Sequence, residues 1–436
     1  VVIERNAMRK LFFLLALLLT APFAQAGVKI EHWNAVSGAR VFFVETHALP
    51  ILDVKISFAA GTVWDPVDKP GTASLTTSLL DLGVQGMDET QIANRLADLG
   101  ALLSGGVDMD RASVGLRTLS AVEQRVPALE LLRAVLVSPQ FPAEVFEREK
   151  ARNIAGLKEA LTQPGTIASR AFWAGLYPSH PYGRHATPES LATLQRDDLV
   201  RFYRQHFTAR RATVTIVGDI TQAQAVDLAQ MLTADLPTGG DLATLAEPGL
   251  ADAGEKRIAH PAAQAHLLIG LPTLKRGDPD FFPLLVGNYT LGGGGFVSRL
   301  MQEVREKRGL AYSVYSYFMP LAQPGPFQIG LQTKKAQAGE ALKLSREVLA
   351  RFVAEGPSDA EIRAAKQNLI GSFPLRLDSN AKILDNVAAI AFYGMPLDYL
   401  DRYAENVEKV TADESRAAFA RHVRLEQLVT VVVGGE

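Results

Sequence analysis

Apolar and polar positions along this chain change period several times, and each change marks an element. Val41-Phe-Phe-Val-Glu-Thr and Leu52-Asp-Val-Lys-Ile-Ser-Phe-Ala are rich in β-branched residues and partly alternate, which predicts strands. Gln91 to Gly100 has helical spacing and closes on glycine, which predicts a helix. Ala112 to Leu119 predicts another strand, and Glu144 to Leu161 a polar, charged helix. Helices follow one another without a strand between them. The order β-β-α-β-α-α-β favours an α+β layer over strict β-α alternation.

The pattern then repeats. Asp197-Asp-Leu-Val-Arg-Phe-Tyr-Arg-Gln-His206 precedes the apolar run Ala212 to Gly218, and Asp413 to His422 precedes Leu428 to Gly434. The offsets 413 − 197, 422 − 206 and 434 − 218 all equal 216. Asn153-Ile-Ala-Gly156 matches Asn368-Leu-Ile-Gly371 at 215. Self-similarity over this distance predicts two copies of one domain of about 200 residues. Between them, Leu236-Pro-Thr-Gly-Gly-Asp241 and Glu247 to Glu255 lack periodicity and read as a linker. The domains are therefore placed at 27–235 and 257–436, with a linker at 236–256.

Composition narrows the chemistry. The chain has 436 residues, a net charge of −2 and no cysteine. The charge argues against a nucleic-acid partner. The missing cysteine removes disulfides, thiolate zinc sites, iron–sulfur clusters and cysteine nucleophiles together. Met8-Arg9-Lys10, the apolar run Leu11–Leu19 and the Ala24-x-Ala26 end have the three parts of a secretory signal peptide. Residues 1–26 are thus expected to be a leader, with Met8 as the start and residues 1–7 from an overlong reading frame. The apolar run is too short to span a bilayer. A periplasmic or secreted chain follows, with no membrane association after cleavage.

Most catalytic motifs are absent. There is no Gly-x-x-x-x-Gly-Lys-[Ser/Thr] loop, and the run Gly292, Gly293, Gly294, Gly295 has no lysine to cradle a phosphate. It reads as a flexible turn before a helix or as a substrate-facing loop. No Gly-x-Ser-x-Gly elbow occurs. Ser379-Asn-Ala-Lys382 matches Ser-x-x-Lys but lacks companion motifs, so it reads as a solvated helix start. No two of the eight histidines stand at i and i+4. His180-Pro-Tyr-Gly-Arg-His185 cannot present a helical zinc pair and reads as structural. His206 and His422 follow aromatic helices, and packing is the reading for both.

The strongest local pattern lies in the second copy. Phe296 to Arg308 predicts a helix with Leu300, Met301 and Val304 on its apolar face, ended by Gly309. Ala311 to Phe318 predicts a strand. Arg305 then falls in the last helical turn and Tyr312 at the start of the strand. Such a corner suits either of two roles: donors for a peptide carbonyl or oxyanion, or a surface arginine beside a packed tyrosine.

Ser298-Arg-Leu…Arg305-Glu-Lys-Arg-Gly-Leu-Ala-Tyr312-Ser-Val resembles the insulinase/pitrilysin zinc metallopeptidase family. The duplicated domains, Ile216-Val-Gly-Asp219, His180-Pro-Tyr182 and Leu291 to Leu300 belong to the same resemblance, which spans nearly all of the chain after 26. It implies two homologous α+β domains, each an antiparallel-rich sheet with helices packed on one face, in a clamshell. It implies that Arg305 grips substrate backbone and Tyr312 stabilises an oxyanion, at the family's seven-residue spacing (312 − 305 = 7). Gly292–Gly295 would bind substrate as a short relative of a glycine-rich recognition loop.

The first domain departs from the family. Active members carry His-x-x-Glu-His and a later glutamate. Here those positions are Ser74, Thr77, Ser78 and Gly156. Hydroxyls are poor zinc ligands and none is basic enough to deprotonate a metal-bound water. The resemblance therefore implies a chain without its own zinc or other cofactor. It would act beside a homologous subunit that carries His-x-x-Glu-His and zinc, on a peptide substrate. The rival expectation is a non-enzymatic peptide-binding or assembly scaffold. An independent hydrolase using other residues is a third.

Overall fold

A computed structural model describes residues 27–240, 244–249, 251 and 253–434. The expected leader at 1–26 lies outside them. Among the described residues, no helix is long and apolar enough to cross a membrane. The first half contributes strands β1 (Glu31–Asn34), β2 (Arg40–Glu45), β3 (Ile51–Phe58), β4 (Gly83–Val84), β5 (Met87–Asp88), β6 (Leu102–Val107), β7 (Ala112–Leu119) and β8 (Ala212–Gly218). The second contributes β9 (Gly254–Ile258), β10 (Gln264–Leu274), β11 (Ala311–Phe318), β12 (Gly325–Lys334) and β13 (Val429–Val433).

Two sheets result, ordered β1-β2-β8-β3-β7-β6 and β11-β12-β10-β13-β9, with β4-β5 as a small ribbon. Read backwards, β9-β13-β10-β12-β11 repeats β2-β8-β3-β7-β6. Among the described residues, β2·β8 and β9·β13 are the parallel ladders and the others are antiparallel. The equivalent edge strands β6 and β11 each follow a glycine in the left-handed region, Gly100 at φ 60° and Gly309 at φ 62°. Gly254–Ile258 pairs with β13, so the second sheet draws a strand from residues that read in sequence as the end of the linker.

Alternation along the strands sorts the two faces. On the first sheet, Val54, Ile56, Val214 and Ile216 face a core built with helices of their own half, among them Val122–Val137 and Gln222–Thr233. The opposite face carries Phe42, Val44 and Val217, and it is covered by the helix Asn380–Tyr393 of the second half through Leu384, Val387 and Ile390. The exchange is reciprocal. The helix Pro164–Leu176 of the first half covers Val429, Val431 and Val433 of the second sheet through Ala168, Phe172 and Trp173. The two exchanged helices start at equivalent positions (380 − 164 = 216). Gly270 permits the approach, because a Cβ there would stand 2.9 Å from Phe172 Cζ. Burying the Phe172 ring contributes about 2–3 kcal/mol.

The His180-Pro-Tyr182 segment sits at the junction of the halves. Tyr177 donates to Pro324 O at 2.9 Å, and His180 Nε2 meets Ala246 O at 3.1 Å. Gln323 Nε2 donates to Leu245 O at 3.1 Å, so the connecting stretch is pinned between them. His206 packs as expected, 4.4 Å from the Phe202 ring and 5.8 Å from the Trp64 ring. His422 does not: its Nε2 stands 2.9 Å from Asp280 Oδ2. A carboxylate brought up by the helix Phe281–Asn288 makes this histidine a polar partner, which sequence spacing does not reveal.

Ser379 is the N-cap of the Asn380–Tyr393 helix, accepting from Lys382 N–H. Lys382 Nζ meanwhile meets Leu375 O at 2.8 Å and Asp378 at 2.9 Å, not the serine hydroxyl. Ser379→Ala is expected to cost about 1 kcal/mol, the worth of a typical N-cap. A chemical-denaturation midpoint checks it; an unchanged midpoint would mean the cap contributes nothing.

Candidate functional site

The first half brings the expected metal positions to a cleft but gives them no metal-binding chemistry. Ser74, Thr77 and Ser78 all lie on the helix Thr72–Ser78 and line a cavity of about 330 Å³ beside β6. Thr77 Oγ1 donates back to Ala73 O at 2.9 Å, and Ser78 Oγ to Leu75 O at 3.0 Å. These hydroxyls satisfy the helix rather than converge on an ion. Gly156 is exposed on the helix Ala143–Ala160 and does not line this cavity. Asp81 is the one carboxylate in the lining, and burial pushes its pKa up, away from the ionised form a cation needs. Zinc does not fit these residues. Asp65 instead caps the helix, accepting from Gly71 and Ala73 N–H at 2.8 and 2.7 Å.

Among the described residues, one cluster of metal-binding side chains occurs, Asp278, Asp280 and His422. Asp280 there is held by Arg421 through two hydrogen bonds of 2.9 and 2.7 Å. A guanidinium on the carboxylate opposes a cation at the same place.

The second half brings Arg305 and Tyr312 together. The chain does not form the continuous Phe296–Arg308 helix that periodicity predicts. Gly295 is left-handed at φ 61°, Gly295–Val297 makes one 3₁₀ turn, and Ser298 is extended. The helix then widens around Met301–Glu306 into i→i+5 bonding, with Lys307 N–H donating to Gln302 O at 3.0 Å. Such π-type turns recur at functional sites. The break releases Phe296 to swing over Arg305.

Arg305 is consequently sandwiched. Its Cζ lies 4.8 Å from the Phe296 ring centroid and 5.1 Å from that of Tyr312. Its Nε approaches Glu306 Oε1 at 3.5 Å, and no shorter polar contact holds it among the described residues. The neighbouring Arg299 is the contrast: two hydrogen bonds of 2.8 and 2.7 Å tie it to Glu361. That pair holds the Glu361 carboxyl down to about 2. Arg299 is structural, whereas Arg305 keeps its donors available.

Tyr312 is 82% exposed. The β11–β12 register shifts between Ala311 and Ser313, so Tyr312 is the extra residue of a β-bulge. Bulges re-aim side chains beside functional sites. Without it, Tyr312 would share a face with the buried Val314. With it, Tyr312 and Ser313 are both exposed, and Tyr312 lines a cavity of about 430 Å³ together with Arg305, Glu306, Gln332 and Lys334. A guanidinium and a phenol thus address one volume.

Gly292–Gly295 divide by role. Gly292 is buried, and a Cβ there would meet Ser316 Oγ at 2.4 Å, so it serves close packing. Gly293 and Gly294 lie against Asn288 and Tyr289. Gly295 stands in open space and turns the chain into Phe296. Sequence reasoning missed Phe296 and the bulge. The spacing of Tyr312, Tyr315 and Tyr317, three residues and then two, is the trace of the bulge in the sequence.

Comparison with known proteins finds relatives of the same fold. A family model described as the peptidase M16 inactive domain matches residues 193–369. A Helicobacter pylori protein named non-peptidase homolog YmxG is 26% identical over 97% of this chain and 98% of its own. The crystal structure of a peptidase M16 inactive domain from Pseudomonas fluorescens superposes with a TM-score of 0.90 at 37% identity, covering 94% of this chain and 98% of that one. The periplasmic protease PqqL of Escherichia coli shares the fold at 17% identity and a TM-score of 0.79, with 93% of this chain matching 45% of PqqL.

Proposed function

Because the chain belongs to the insulinase/pitrilysin (M16) peptidase family, we propose that it is the non-zinc-binding subunit of an exported heteromeric metallopeptidase. One contrast carries the reading: the helix Thr72–Ser78 holds no ligand or base, while the Arg305–Tyr312 corner keeps its donors free. Arg305 lies against two rings and has only a loose contact with Glu306, at 3.5 Å, which leaves most of its donors for a ligand. Arg305 binds the backbone carbonyl of a peptide, and Tyr312 donates to the oxygen that becomes anionic as the amide is attacked. The metal and base belong to a homologous partner carrying His-x-x-Glu-His. The leader pattern at Met8–Ala26 supports export to the periplasm or beyond. Gly295 supports a substrate-facing role for the end of the glycine run, through Phe296.

The test is reconstitution. The mature chain and its His-x-x-Glu-His homologue from the same organism are assayed on a quenched peptide library, separately and together. Activity is expected only from the pair, and Arg305→Ala is expected to lower kcat/KM roughly 10²-fold. A homologue equally active alone would sink the reading and leave a peptide-binding or assembly scaffold. Hydrolysis by the lone chain that survives a chelator would support an independent hydrolase instead.

A further inference from the structure

The Arg305–Tyr312 cavity does not end at Tyr312. That side chain also lines a second cavity of about 520 Å³, which runs over the outer face of the second sheet toward the exchanged helix Pro164–Leu176. Tyr315 and Tyr317 of β11 form one wall, with ring centroids 6.0 Å apart and planes 8° from parallel. Tyr315 lies flat across Gly330, where a Cβ would come within 2.5 Å of its ring. Gln328 and Gln332 of β12 flank that glycine on the same face, and Trp173 and His266 form the far wall. The exchanged helix covers β13 and part of β10, which leaves this end of the sheet open.

Two features define the occupant. The lining contains no Asp, Glu, Lys or Arg, and burial disfavours the charged form of His266. A charged group entering it would lose hydration without a counter-ion. Second, Gln328 is only 6% exposed and lines the cavity, so its carboxamide is a polar group at an otherwise aromatic wall. The tyrosines Tyr315 and Tyr317 line the same cavity. Aromatic walls with a few convergent polar groups suit an aromatic guest that carries its own polar tip. At about 3.3 Å per residue, Tyr315 lies about 10 Å along the strand from Tyr312. That is about three residues of an extended peptide whose carbonyl is held at Arg305.

We propose that this cavity is a specificity subsite that receives an aromatic side chain, tyrosine above all, about three residues from the peptide carbonyl held by Arg305. Tyr315 and Tyr317 stack on the guest ring, and Gln328 bonds its hydroxyl. The inference rests on the peptide-binding reading of Arg305 and Tyr312.

The test uses fluorescein-labelled decapeptides of alanine and glycine with one tyrosine, phenylalanine, serine, lysine or glutamate, titrated into the full mature chain and followed by anisotropy. The tyrosine peptide is expected to bind roughly tenfold tighter than the serine, lysine and glutamate peptides, with phenylalanine between. Tyr315→Ser with Tyr317→Ser should erase the preference. Gln328→Leu should bring phenylalanine level with tyrosine or above it, and Arg305→Ala should weaken every peptide alike. Circular dichroism melts confirm that each variant folds.

The outcomes separate the two ideas. If Arg305→Ala weakens all peptides but the double tyrosine variant keeps wild-type preference, the subsite is wrong and the backbone grip stands. If the preference depends on Tyr315 and Tyr317 while Arg305→Ala changes nothing, the subsite stands and the grip is wrong. Equal affinity for tyrosine and lysine peptides, no binding of any peptide, or displacement by neutral chitotetraose but not by N-acetyltyrosinamide would overturn the proposal.

Discussion

Tyr312→Phe, assembled with the zinc-bearing partner that the proposed function calls for, is expected to turn over peptide roughly 10²-fold more slowly with KM almost unchanged. The substitution removes one oxygen from a ring that is 82% exposed, so it disturbs no core. The ring still lies against the Arg305 guanidinium, whose Cζ is 5.1 Å from its centroid. Substrate that relies on Arg305 should therefore bind as before. What disappears is the hydroxyl that the proposed function aims at the oxygen gaining charge in the transition state. A donor that acts only there lowers kcat and kcat/KM together. Arg305→Lys should behave differently. A lysine is a compact point charge that cannot lie flat between Phe296 and Tyr312 or offer a fork of donors, so KM should rise. Wild-type turnover in Tyr312→Phe would return both residues to structural roles.

The parts of this molecule legible in the sequence are those with local or periodic causes. The repeat offset of 216 predicted two copies of one domain, and the matching strand orders and the helices starting at 164 and 380 follow that repeat. The strands at Arg40, Ile51, Ala112 and Ala311 follow from alternation, and the end of the Arg305 helix from Gly309 at φ 62°. What escaped depends on partners distant in sequence. Nothing near Pro164 says that its helix will leave its own half, because that depends on Gly270 clearing space for Phe172 on another sheet. The bulge at Tyr312 and the swing of Phe296 over Arg305 set the geometry of the candidate site, and both need the partner strand and the break at Ser298. The degenerate helix is the reverse case. Ser74, Thr77 and Ser78 exclude zinc on side-chain chemistry alone, before any geometry is known.

Asp110→Ala is expected to destabilise the chain by roughly 3 kcal/mol, from the cost of stranding donors that lose their acceptor. Asp110 is 3% exposed and sits between β6 and β7, where three segments meet. One carboxylate oxygen accepts from Tyr182 OH at 2.5 Å. The other accepts from Tyr393 OH at 2.8 Å and from Ala322 N–H at 2.9 Å. Tyr182 belongs to the first half, whereas Tyr393 ends the exchanged helix and Ala322 lies between β11 and β12 of the second. Tyr182 OH in turn accepts from Gln323 N–H at 3.1 Å, so loss of the carboxylate also loosens the loop that pins Leu245. Burial pushes the Asp110 pKa up, and the three donors oppose that shift by stabilising the anion. Asp110→Asn should cost less than alanine, because its carbonyl oxygen still accepts while its amide group faces donors. Tyr393→Phe should cost least, since one half-buried donor goes and the acceptor keeps two others. Urea denaturation would give the order, and limited proteolysis at 244–249 should accelerate in the same order if the carboxylate ties the halves together. Equal stability of Asp110→Ala and wild type would show that the exchanged helices alone hold the junction.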